Sequence, residues 1–294
     1  MPEEPKRFGL ESQVRRNPHP DFKKVEASRP PFEKDVKWHY NQTVDPNWKP
    51  GTGATDDEWK KHEKIEIDPY GQDRNPVDNY KMLISGVTPR PIGFVSSISK
   101  DGVRNLAPFS YTTVVNHDPP IFCIGFSGGK GRYKDTAQNI LDTGELTINI
   151  ISEWFVEAAN YCCTDCPPEV DEWQLSGLTP VESKKVKPPH VAESAFSVEA
   201  KLIHSHEWTS KLSDAKTGTL CIVEGVNFHV RDDVINEDKN IIDPAKLLPV
   251  SRLGGITYGR TVNGYEMPRP DFNAEKEKPE VKEILSKATT NGKA

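Results

Sequence analysis

Between residues 76 and 265 the chain alternates short apolar runs with turn residues, and outside that span the pattern fades. Pro91–Ser99 has the β-branched and aromatic content of a strand, and Lys100-Asp101-Gly102 follows it as a turn signal. Ser110–Val115 and Ile121–Phe126 read as two more strands, split by Asn116-His117-Asp118-Pro119-Pro120, which a sheet interior does not accept. Glu145–Ile151 and Ala195–His204 extend the series. Thr219–Val230 is long enough to bend at Gly225, as a barrel strand must. Helical periodicity is rarer. Ala137, Ile140 and Leu141 make an i, i+3, i+4 face behind an Asp135-Thr136 start, and Ser152–Tyr161 offers Trp154, Phe155 and Ala158 as a packing face. Many short strands with few helices predict a mainly β fold, a β-barrel with helical decoration. Strict βαβ alternation is missing, so a doubly wound sheet is disfavoured.

Composition divides the chain into three. Residues 1–76 hold only 18 residues of the apolar set and ten of the 25 prolines, too little to build a core. That stretch nevertheless carries Trp38, Tyr40, Trp48 and Trp59, which suggests an N-terminal arm lying across another surface, of the chain's own core domain or of a second subunit. Residues 77–265 carry the fold. Residues 266–294 form a charged tail, with a short helix expected around Val281–Ser286.

Bulk properties narrow the function classes. A net charge of −6 argues against a nucleic-acid binder, and no apolar run approaches the roughly 18–20 residues of a membrane span. Five cysteines are too few, and odd in number, for a disulfide scaffold. The start lacks a secretory core and its acidic residues fit a presequence poorly, so the expectation is a cytoplasmic protein.

The densest chemistry lies between Thr88 and Asn139. Arg90, Ser96, Ser97, Asn105, Ala107 and Ser110 are followed by Arg132, Lys134, Thr136 and Asn139, the last three around a helix start. Cations, hydroxyls and bare amides beside a helix N-terminus are what a bound anion needs.

These residues fall in a recognisable order: Arg90-Pro91-Ile92, Asn105-Leu106-Ala107-Pro108-Phe109-Ser110, Pro119-Pro120, Lys134-Asp135-Thr136 and Asn139-Ile140. Downstream come Thr147–Ile150, Leu175–Leu178, Pro188–Glu193, and Arg252-Leu253-Gly254-Gly255 with Tyr258. The pattern resembles the flavin reductase-like family across Val77–Tyr265. That resemblance implies an FMN-binding split barrel, with flavin sites near a homodimer interface and NAD(P)H as electron donor; the extended N-terminal arm of residues 1–76 lies outside it. By the same likeness the phosphate falls to Arg132, Lys134, Thr136 and the first helical turn, and the ring's polar edge to the backbone of Asn105–Ser110. The implied reaction is that of an FMN-dependent oxidoreductase, with free flavin or a small molecule as substrate. A reductase or oxygenase with tightly held FMN, and a non-enzymatic flavin binder, stand as alternatives.

Other local features carry less. No Gly-x-Gly-x-x-Gly, Gly-x-Ser-x-Gly or His-Glu-x-x-His motif is present. Gly125–Gly131 is one residue short of a phosphate loop and reads as a loop beside the flavin. Cys162, Cys163 and Cys166 lack a second thiol pair, so a structural or incidental role is expected rather than a redox or metal site. His204 and His206 share a strand face with no acidic or thiol partner at matching spacing, and no metal is expected. His117 and Arg252 are the candidate catalytic side chains, the first beside the Asp118-Pro119 turn, the second facing flavin or nicotinamide.

Overall fold

The computed structural model describes Val14, residues 17–128 and residues 133–291. Contacts divide them into two units: residues up to Asp35 with Asp68–Thr261, and Val36–Ile67 with the chain from Val262 onward.

The larger unit is built on seven strands: β1 (Gly93–Ile98), β2 (Arg104–Phe109), β3 (Thr112–His117), β4 (Pro120–Ser127), β5 (Glu145–Ile150), β6 (Phe196–Thr209) and β7 (Lys216–Val230). They lie in the order β2-β1-β5-β6-β7-β4-β3, and every pairing is antiparallel. The end strands β2 and β3 are joined by Ser110 and Tyr111 alone, so the sheet has to curl until its two ends meet. Phe109 of β2 packs edge-on against Phe126 of β4, ring centroids 4.6 Å apart, and helps close the gap. The result is the expected mainly β barrel.

Strand side chains alternate between faces, and β1 buries both. Phe94 joins Leu106, Ile151, Phe155 and Trp173 in one core. Val95 joins Ile124, Phe126, Ile140, Leu146, Ile148, Val198 and Val223 in the other. Burying each such large side chain contributes roughly 1.5–3 kcal/mol. β7 bends where expected: its register with β6 shifts between Gly225 and Asn227. A Cβ at Gly225 would stand 3.1 Å from Val198 and 3.3 Å from Phe122.

Short helices decorate the barrel, among them α1 (Phe22–Ala27), α2 (Pro76–Gly86), α3 (Asp135–Thr143), α4 (Val156–Tyr161) and α5 (Glu172–Ser176). α3 buries Thr136, Ala137, Asn139 and Ile140 and ends at Gly144, whose φ of 72° is the left-handed cap that glycine adopts without strain. α2 begins at Asn75, whose side chain accepts from Val77 N–H, with Pro76 at its first position.

Some expectations need correction. Asn105–Phe109 is a full strand despite Pro108: β2 is an edge strand, where a missing N–H costs no ladder bond. Strands β3 and β4 reach His117 and Pro120, so the break between them is shorter than the five residues predicted. In the Ser152–Tyr161 segment Phe155 is buried as expected, but Trp154 is exposed. Its indole donates to the Glu193 carbonyl at 2.9 Å, beneath the Arg231 guanidinium.

In the smaller unit His39–Tyr40 pairs in parallel with Asn263–Gly264. Trp38 meets Tyr40 edge-on and covers Gly264, where a Cβ would lie 3.0 Å from the indole. Trp38 thus packs on the C-terminal segment, which is not one of the two surfaces expected, while Trp48 and Trp59 stay 49% and 63% exposed. The predicted terminal helix is longer than expected, α6 (Pro279–Asn291). No helix among the described residues is long and apolar enough to cross a membrane.

Candidate functional site

A cavity of about 1070 Å³ opens at the free edge of β2 and the start of α3. β2 supplies Asn105, Ala107, Pro108 and Phe109, and the link to β3 adds Ser110 and Tyr111. At its other walls lie Lys134–Thr136, Cys162–Cys166, Glu172, and the segment holding Arg252 and Tyr258. Pro18, and Phe22 from α1, also line it.

A side-chain bond ties the start of α3 to β2: Asn105 Nδ2 donates to Thr136 Oγ1 at 2.7 Å. Because Thr136 accepts there, its own O–H hydrogen is left for a further acceptor. Lys134 stands at the helix cap in extended conformation, and the first-turn N–H groups of α3 have no intrahelical partner. Fixed donors and a cation therefore converge at this end, as an anion requires.

Arg90 lines the cavity, yet its guanidinium is spent mostly on the protein. It donates to the carbonyls of Ile84, Val87 (2.9 Å) and Leu253 (3.0 Å), and Nε reaches Ser110 Oγ at 3.4 Å. Four of an arginine's five N–H groups are thus committed. Arg90 clamps α2, the Arg252 segment and Ser110 around the cavity. Arg252 donates to the Gly255 carbonyl at 2.7 Å and lies over the Tyr258 ring. Burial, with Cys163 nearby, pushes the Tyr258 hydroxyl up to about 12, so it stays neutral and donates to Asn160 at 2.9 Å.

Seven residues expected from sequence thus meet in one cavity: Arg90, Asn105, Ala107, Ser110, Lys134, Thr136 and Arg252. Three others do not line it. Ser96 and Ser97 are buried within β1, and Asn139 on the buried face of α3 donates to Ser97 Oγ at 3.1 Å. They hold the helix to the sheet. His117 is exposed at the end of β3 and is likewise not among the lining residues. Arg132, like Gly129–Gly131 of the glycine-rich loop, lies outside the described residues.

The cysteines sit in the wall. Cys162 is buried, and burial pushes its thiol up to about 12, which makes it inert; burial raises Cys166 too. Among the described residues no group of His, Cys, Asp and Glu has the arrangement of a metal site. Sequence reasoning missed Glu172, which is buried at 7% exposure with its carboxylate accepting Leu106 N–H at 3.2 Å. No local signal marks it, because its partner lies 66 residues away.

Residues 85–247 match the family model of the flavin reductase like domain. A protein of Halalkalibacterium halodurans is 38% identical over 203 residues, spanning 68% of this chain and 95% of its own. Nitrilotriacetate monooxygenase component B from Bacillus cereus superposes with a TM-score of 0.66 at 32% identity, over 70% of this chain and 100% of that one. 2-Nitrobenzoate 2-nitroreductase NbaA from Pseudomonas fluorescens gives 0.61 at 26% identity, over 71% and 98%. The chain belongs to the flavin reductase like family, and its curled sheet is the split barrel expected of that family. It is a flavin-dependent oxidoreductase. Pro18 and Phe22 lie outside the family match.

Proposed function

We propose that the chain binds FMN in this cavity and catalyses an NAD(P)H-linked reduction of the flavin. The observation that carries the reading is the convergence of Asn105, Ala107, Ser110, Lys134 and Thr136 in one cavity of a flavin reductase like domain. The donor set fits the cofactor. Lys134, the Thr136 hydroxyl and the first turn of α3 suit a phosphate, with Arg132 added from the sequence reading. Ser110 accepts from Arg90 and keeps its own hydrogen for a ligand, and rigid Pro108 steadies the strand backbone beside it. When bound, FMN supplies the hydride and electron transfer, so the protein needs no nucleophile of its own. What the chain contributes is position, exclusion of water by Phe109 and Tyr111, and a cation at Arg252 toward the nicotinamide side.

A second reading has its own observation. Pro18 and Phe22 narrow the cavity from outside the family domain, which favours retained FMN and a small organic acceptor over exchange of free flavin. Steady-state NAD(P)H oxidation separates the two. A rate that rises with added free FMN supports the diffusible-flavin reaction. A rate indifferent to added FMN, on protein that keeps its flavin through gel filtration, supports the second. No oxidation of either nicotinamide would overturn the choice of donor.

The functional unit in this proposal is a homodimer, without nucleic acid or membrane. Val114 on β3, Ile203 and Trp208 on β6 and Phe228 on β7 are each more than half exposed, an apolar surface that a second copy would cover. A single-chain mass in sedimentation equilibrium would count against it.

A further inference from the structure

Glu172 lines the end of the cavity that suits a phosphate. Lys134 stands there too. Asp171 is adjacent, but its charge is matched: Arg104 of β2 donates to it at 2.6 and 3.2 Å, and its other oxygen caps α5 through Trp173 N–H at 2.9 Å. Glu172 differs. It is buried, it makes no ion pair among the described residues, and its hydrogen-bond donor from the neighbouring element is the backbone N–H of Leu106 on the open edge of β2. The groups packed around it are Asp135 from α3, Asp171 at the start of α5, Cys162 from α4 and Cys166 from the following loop. A described cation next to them is Arg104 of β2, which is bound to Asp171. Burial, reinforced by Asp135 and Asp171, raises its carboxyl above the ordinary glutamate range, against the pull of two backbone N–H groups.

A phosphate monoester carries close to two negative charges above its second pKa of about 6. Bringing it to Lys134 and Thr136 adds like charge to a cavity whose Glu172 carboxylate makes no ion pair among the described residues. Repulsion of that kind is relieved by a proton on the weaker acid, and a protonated carboxyl also gains an O–H to donate. We propose that Glu172 takes up a proton from solvent when the FMN phosphate enters the cavity, so that cofactor binding is proton-linked through this residue. The inference rests on the FMN reading above and names a positioning residue that the family resemblance did not supply.

The test is a titration of apoprotein with FMN and with riboflavin, followed by flavin fluorescence between about pH 7 and 9, where the phosphate itself no longer titrates. Calorimetry in two buffers of different ionisation enthalpy counts the protons taken up. For wild type, FMN affinity falls as pH rises, by up to about tenfold per pH unit, with uptake approaching one proton. Riboflavin shows neither effect. Glu172→Gln keeps an acceptor for Leu106 N–H and is neutral throughout, so it binds FMN with a flat profile and no uptake. An unchanged slope in Glu172→Gln, or wild-type binding without proton uptake, overturns the proposal and leaves the cofactor reading standing. Failure of wild type to bind FMN at any pH overturns both.

Discussion

Glu199 has no exposed surface, yet it carries a charge in the middle of β6. Its carboxylate accepts from the backbone N–H groups of Lys184 (2.9 Å), Lys185 and Val186 (3.2 Å), and from Asn227 Nδ2 (2.8 Å) and His229 Nε2. Burial alone would raise this carboxyl, but the donors outweigh it and hold it at about 2, against an ordinary value of 4.5. A depressed carboxylate stabilises the fold above its unfolded pKa and loses that contribution as pH falls through the folded value. The drop from 4.5 to about 2 corresponds to roughly 3 kcal/mol at neutral pH. Glu199→Gln removes the charge and turns an N–H₂ toward groups that are themselves donors. Urea unfolding followed by circular dichroism should show a loss of roughly 3 kcal/mol at pH 7, narrowing steadily below about pH 4.5. A loss of equal size at pH 7 and near pH 3, or none at either, would refute the assignment of the charge as the stabilising element.

Three further outcomes follow from the cavity. Lys134→Ala with Thr136→Ala should weaken FMN by about 100-fold or more while leaving the circular dichroism spectrum unchanged, since charge-assisted hydrogen bonds contribute roughly 1.5–3 kcal/mol each; equal affinity in a fluorescence titration removes both from the phosphate site. Arg90→Lys should lower the unfolding free energy by about 2 kcal/mol or more, because an ammonium cannot span the carbonyls of Ile84, Val87 and Leu253, and wild-type stability in urea would contradict the clamp. Phe22→Ala should raise the FMN dissociation rate measured by dilution into an apoflavodoxin-type trap, and an unaltered rate would show that α1 does not retain the cofactor.

Much of the barrel was legible because its strands obey a two-residue period between clear turn signals. Leu146 and Ile148, or Val198 and Ala200, fall on one face and pack together as that period requires. β2 was not legible as a strand, since Pro108 breaks the pattern and only the sheet order shows that its proline faces an unpaired edge. α2 carried its Asn75-Pro76 start in plain sight, but a weakly amphipathic segment at a composition boundary hid it. Within the site, the Asn105 and Lys134–Thr136 segments were found because each is chemically distinctive over a few residues. Ser97 and Asn139 have the same chemistry but spend it on each other, a difference that strand phase and helix face decide. Glu172 and Phe22 reach the cavity only through long-range packing, and a sequence pattern holds no trace of it.

The central claim is tested most directly by mixing the purified protein with FMN, removing free flavin by gel filtration, and adding NADH or NADPH without oxygen. The account predicts a yellow protein whose flavin absorbance bleaches with at least one nicotinamide and returns in air. A colourless protein after filtration, with no change in flavin fluorescence on mixing, would contradict it.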